Sequence, residues 1–150
     1  MEKRSIMKKE SSRFITIVLC MAMLGITLAA CAPKPSVITN PAELKDLVCA
    51  EATGEFGSVK IEDAESLKWI EEHFSKATKL DGWPNCPYDM TIRLTCKNGA
   101  VLEVQPAMDS CDNMLVGGND WYCYNCGNSK ELFDRFGLDV MIGNVTIKGQ

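Results

Sequence analysis

The sequence predicts an α+β fold, an antiparallel sheet of about four to five strands with two to three helices packed on one face. Three observations carry that expectation. Residues 90–104 alternate apolar and polar side chains about a central Lys97-Asn98-Gly99. Residues 64–79 repeat apolar side chains at helical spacing behind a capping residue, Asp63. Short apolar runs broken by glycine and asparagine fill most of the remaining chain.

The first element expected is a helix beginning at Asn40. Asn40 can cap, Pro41 suits the first helical position, and Glu43 lies three residues on, where it can bond back. Leu44, Leu47 and Val48 supply one apolar side, and Gly54 lies beyond its end. Val59 and Ile61 fit a short strand. The second and longest helix spans roughly 64–79, with Leu67, Ile70, Phe74 and Ala77 as its core stripe and Trp69 on the flank. Lys68, Glu71, Glu72, Lys76 and Lys79 fill its solvent face, so the Glu71-Glu72 pair reads as ordinary surface charge. Gly82 ends the helix, and Trp83-Pro84-Asn85-Cys86-Pro87 is an extended connector, because proline disfavours helix in the residue before it.

The hairpin that follows can be phased. A two-residue Asn-Gly turn would set Leu94 opposite Glu103, mixing core and solvent faces. A three-residue Lys97-Asn98-Gly99 loop with a left-handed Gly99 sets Leu94 opposite Leu102, Ile92 opposite Val104 and Arg93 opposite Glu103. The three-residue loop is the one expected. Residues 114–116 and 121–124 then read as shorter strands. A third helix is capped by Asn128, buries Leu132, Phe133 and Phe136, and stops at Gly137. Residues 140–142 and 145–147 make a last strand or small hairpin.

The amino-terminal region speaks of location. Lys3, Arg4, Lys8, Lys9 and Arg13 precede an apolar run from Phe14 to Ala30, and Leu28-Ala29-Ala30 leads directly into Cys31. A basic region, an apolar region and a small-residue boundary form a secretory signal peptide. The run is 17 residues long, at the short edge of a transmembrane span, the alternative use of such a segment. Leu28-Ala29-Ala30-Cys31 resembles the lipobox of bacterial lipoproteins. The resemblance implies cleavage before Cys31, diacylglycerol on its sulfur, and a protein held on the extracytoplasmic face of the cell membrane, or in an outer membrane. The expected organisation is then a signal peptide over 1–30, a lipidated Cys31 with a short tether to residue 39, and one disulfide-rich domain over 40–150. Within that domain Cys86-Pro87, Asn98-Gly99, Asp109-Ser110-Cys111 and the following tyrosine-containing strand resemble small extracytoplasmic lipoprotein domains of Gram-positive anaerobes. That likeness implies a location and no reaction.

Removal of residues 1–30 leaves 120 residues, a length suited to one core, with 11 basic and 18 acidic side chains and a net charge of −7. Such a surface repels phosphate, and no basic cluster interleaved with aromatics occurs, so nucleic acid is not an expected partner. The expected partners are the membrane, through the lipid, and a protein, envelope polymer or small ligand.

Six cysteines remain in the domain: Cys49, Cys86, Cys96, Cys111, Cys123 and Cys126. An even count in a small exported domain reads first as three disulfides. The hairpin register puts Cys86 near Cys111 at the open end. It leaves Cys96 at the turn end, on the order of 30 Å away along a straight strand, beyond the roughly 7 Å that disulfide Cα atoms allow. The expected pairs are therefore Cys86–Cys111, Cys49–Cys96 and Cys123–Cys126. No cofactor is required by that wiring. The alternative is zinc, held by Cys86, Cys111, Cys123 and Cys126 converging at the open end. Cys123-Tyr124-Asn125-Cys126 also has the form of a redox Cys-x-x-Cys, although only 24 residues follow it, too few for the architecture that usually surrounds that motif.

His73, the single histidine, falls at the edge of the apolar helix face one turn after Trp69, where a locally bonded, half-buried ring is expected. Asp109, Asp112, Asn113 and Asp120 could hold calcium, but their spacing is not that of an EF-hand, and turns use these residue types anyway. No nucleophile elbow, zinc-protease, phosphate-loop or dinucleotide motif is present. The sequence thus points to a membrane-anchored, non-enzymatic binding or interaction module. Trp83, Trp121, Tyr122 and Tyr124 are candidate contacts, core packing being the ordinary role of each taken singly. A thiol-disulfide redox protein or a zinc domain built on Cys123 and Cys126 is the alternative.

Overall fold

A computed structural model of the chain describes residues 34–82, 84–109, 111–124, 129–141 and 144–149. The signal region, Cys31 and the expected Asn128 cap lie outside these residues, as do Trp83 and Cys126. Among the described residues no helix is long and apolar enough to cross a membrane.

The fold is mostly β, which corrects the expected α+β arrangement. One antiparallel sheet has seven strands: β1 (Leu47–Gly54), β2 (Gly57–Ile61), β3 (Thr78–Lys79), β4 (Thr91–Cys96), β5 (Val101–Pro106), β6 (Asn113–Val116) and β7 (Asp120–Cys123), in the spatial order β2-β1-β4-β5-β6-β7-β3. A separate two-stranded sheet pairs β8 (Leu138–Met141) with β9 (Asn144–Ile147). Two short helices are described, α1 (Ala64–Phe74) and α2 (Ser129–Arg135).

Two expected helical stretches become strand. At the first, Asn40 caps as anticipated: its Oδ1 accepts the Ala42 N–H at 3.1 Å. The helix closes after a single 3₁₀ turn, Pro41–Glu43, because Asp46 takes a left-handed φ of 54° and redirects the chain. From there the period is two. Ala50 and Ala52 are fully buried, while Glu51 and Thr53 lie on the opposite face. Alanine and glutamate favour helices as isolated residues, but here tertiary pairing prevails: β1 is flanked by β2 and β4, and α1 packs across it. The two small alanines leave room beneath the bulky stripe of α1.

That stripe is Leu67, Ile70 and Phe74, all buried, behind an Asp63 cap whose Oδ1 accepts the Ser66 N–H at 2.9 Å. The helix ends five residues earlier than expected, at Phe74 rather than residue 79. Thr78 and Lys79 instead pair with Cys123 and Tyr122 at the edge of β7. Glu71 also departs from the expected solvent face. It is half-buried, and its Oε2 accepts the Leu47 N–H at 2.9 Å, tying α1 to the start of β1.

The central hairpin has the register the sequence analysis selects: Ile92 faces Val104, Arg93 faces Glu103 and Leu94 faces Leu102. Gly99 is left-handed at φ 82°, and Arg93 Nη1 meets Glu103 Oε1 at 3.1 Å. Ile92, Leu94, Leu102, Val104, Met114, Val116 and Tyr122 point into one core with Phe74 and Tyr124. Arg93, Glu103, Leu115 and Trp121 occupy the other side of the sheet by alternation. At the turn end, Ser36 and Ile38 are stitched to Val101 by two backbone hydrogen bonds of 2.9 and 2.8 Å.

Candidate metal centre

The chain leaves β5 at Pro106 and folds back over the segment that leads into β4. Met108 N–H donates to the Pro87 carbonyl at 3.0 Å, and Ala107 N–H donates to the Asn113 carbonyl at 2.8 Å. These bonds draw the two sides of the hairpin's open end together. The Asp109 carboxylate then caps its own turn, accepting the Cys111 N–H at 2.9 Å. The Asp109 carbonyl is held by the Ser129 hydroxyl at 2.8 Å, and Asn113 N–H donates to the Cys111 carbonyl at 2.7 Å.

The result is a cluster of three donors. Cys86 Sγ, Cys111 Sγ and an Asp109 carboxylate oxygen all lie within 4.8 Å of one another, each on a half-buried residue. This group could hold a metal ion. Asn113 Nδ2 approaches Cys86 Sγ at 3.9 Å, and Cys123 sits directly opposite Asn113 on the neighbouring strand. Tyr88 borders the cluster and packs its ring on Trp121 at 5.0 Å. Its hydroxyl oxygen is buried with no hydrogen-bond partner among the described residues. Burial, with the adjacent Cys86 thiol adding to it, holds the Tyr88 phenol well above its usual range.

Electrostatics oppose charge on the cluster when it has no cation. Cys111 is pushed up to about 12, first by its interaction with Cys86, then by Asp109, then by burial. At neutral pH it is a protonated thiol, not a nucleophilic thiolate. A dication would reverse this logic, because a coordinating thiol releases its proton to solvent as the metal takes its place.

No family model, curated protein or solved structure matches this chain. Its site has to be read from its own chemistry.

The remaining candidates from sequence are distributed as follows. Cys86 and Cys111 are brought together, as the hairpin register implies. Cys49 and Cys96 are not: Cys49 lies opposite Thr95, while Cys96 follows Leu94 onto the core side and is buried, so the two side chains leave the sheet on opposite faces. Cys123 lies beside the cluster by register, and its expected partner Cys126 is outside the described residues. Tyr122 and Tyr124 are core residues, 7% and 2% exposed, with Tyr124 5.2 Å from the Phe74 ring. Buried side chains cannot offer a docking face, which removes both from the candidate contacts. Trp121 stays half-exposed beside Tyr88, and Trp83 is outside the described residues.

The grouping considered for calcium does not converge. Asp120 opposes Val116 at the far end of β6 and pairs with Lys79 at 2.8 Å. His73 is engaged locally, its Nδ1 bonded to the Trp69 carbonyl at 2.7 Å and its ring stacked on Trp69 at 4.0 Å. Asp109, considered only for calcium, and Tyr88 are the site residues that sequence reasoning left out of the zinc set. The spacing Asp109-x-Cys111 carried a usable signal, since a one-residue separation with an Asx turn places carboxylate and thiol on one side.

Proposed function

We propose that this chain is a lipid-anchored, extracytoplasmic, non-enzymatic binding module whose ligand is a zinc-class divalent cation held by Cys86, Asp109 and Cys111. The observation that carries the reading is the convergence of two sulfurs and a carboxylate oxygen within 4.8 Å. Two thiolates and an oxygen suit a borderline-soft ion that accepts mixed donors. Two sulfurs bound to one tetrahedral zinc at ~2.3 Å stand roughly 3.8 Å apart, so the side chains need only small rotations to close on an ion. A water would complete the shell, and the buried Tyr88 hydroxyl would be its hydrogen-bond partner. The anchor rests on Leu28-Ala29-Ala30-Cys31 and the apolar run before it.

The test is zinc titration of the reduced, detergent-solubilised chain against a chromogenic chelator. One equivalent should bind, and Cys111→Ser and Asp109→Asn should each weaken binding at least tenfold. Wild-type protein that takes up no zinc, or variants that bind as tightly as wild type, would overturn the assignment.

A further inference from the structure

We infer that Cys86 and Cys111 form a thiol-disulfide switch that releases the cation when they are oxidised. The inference rests on the metal reading above and adds its regulation. The same two sulfurs serve both states, and one pair of atoms cannot do both at once. As thiolates they bind metal. As a disulfide, at an S–S separation of ~2.05 Å, they have no anionic sulfur left to donate. Only Asp109 of the three donors would then remain, and a lone carboxylate is a weak zinc site.

The two sulfurs lie within 4.8 Å of each other, and backbone hydrogen bonds hold the segments that carry them together. Pro87, next to Cys86, is bonded to Met108, and Cys111 is fixed on both sides by Asp109 and Asn113. Both cysteines lie in connecting segments outside the strands, so closing the remaining gap between the sulfurs does not require the strand pairing to change. Both are half-buried, not sealed in the core.

The co-reactant is a disulfide, either a small molecule or a protein of that class. One cluster thiolate attacks a sulfur of R–S–S–R, giving a mixed disulfide and expelling R–S⁻. The second cluster thiolate attacks the protein sulfur of that mixed disulfide, giving Cys86–Cys111 and a second R–S⁻. Two electrons pass from the cluster sulfurs to the incoming disulfide, the zinc ion leaves as Zn²⁺, and each R–S⁻ takes a proton from water. In an exported setting disulfides of this class are the ambient co-reactants, so metal retention reports reducing equivalents.

The experiment uses the full chain in detergent, reduced, loaded with one equivalent of zinc and cleared of excess reductant. Oxidised glutathione is added while a chromogenic chelator reports free zinc and mass spectrometry maps crosslinks. Zinc should appear in step with the loss of two alkylatable thiols and the formation of Cys86–Cys111, and dithiothreitol should restore binding. Cys49→Ser, remote from the cluster, should behave as wild type. Zinc retained after oxidised glutathione, with or without the crosslink, overturns the switch and leaves the metal site standing. Zinc released alongside a different crosslink overturns it too. A reduced chain that never binds zinc overturns both.

Discussion

Asp63 shows how a single side chain can set a local pH response. Its carboxylate accepts the Ser66 N–H at the start of α1, which holds it below the ordinary carboxylate range, and the nearby Arg135 charge works the same way. A folded pKa below the unfolded one stabilises the fold above the unfolded value, and the contribution is lost as pH falls through the folded value. Asp63→Ala should therefore lower the melting temperature at pH 7. The gap from wild type should narrow progressively below about pH 4, near the unfolded carboxylate pKa. A gap that stays constant down to pH 2 would show that the carboxylate's charge has no part in capping. Asp134 follows the same rule at the other helix, drawn down by Lys130 first and by Lys148 second.

Among the elements, α1 carries the clearest difference between two faces. Phe74 is fully buried against Tyr124, whereas Glu72 is half-exposed and meets Lys68 at 3.8 Å. Phe74→Ala should cost about 3–5 kcal/mol in urea denaturation, and Glu72→Ala less than ~0.5 kcal/mol. Equal costs would mean that the helix faces the other way. The elements also show what could be read from the chain and what could not. The β4–β5 hairpin was fully legible, because alternation and the Lys97-Asn98-Gly99 loop are local signals that agree. The β1 strand was not. Its Asn40-Pro41 start is a true helix-initiation signal, and Ala50, Glu51 and Ala52 do not oppose it; pairing with β2 on one side and with the more distant Leu94 and Ile92 on the other makes that stretch a strand. Thr78 and Lys79 were assigned to the helix for the same reason, since their partners lie beyond residue 120. The site was half legible. Register brought Cys86 to Cys111, but Asp109 entered only through the way the chain folds back after β5.

For the whole molecule the decisive residue is Cys31. Cys31→Ser should abolish incorporation of labelled fatty acid and leave a precursor larger than the mature protein. A wild-type chain that takes up no label and keeps an uncut amino terminus would refute the anchor. The stitching of Ser36 and Ile38 to Val101 gives that anchor a geometric consequence. From Cys31 to the first bonded residue, Ser36, is five residues, at most about 17 Å of fully extended chain. A lipid attached to Cys31, as proposed, would work as a very short leash leading to the turn end of the β4–β5 hairpin. Such a leash would keep that end close to the bilayer, while the cysteine cluster belongs to the opposite end, about 20 Å further along the six residues of β5. A protein moored in this way would have a bow and a stern, with Cys86 and Cys111 at the end away from the mooring.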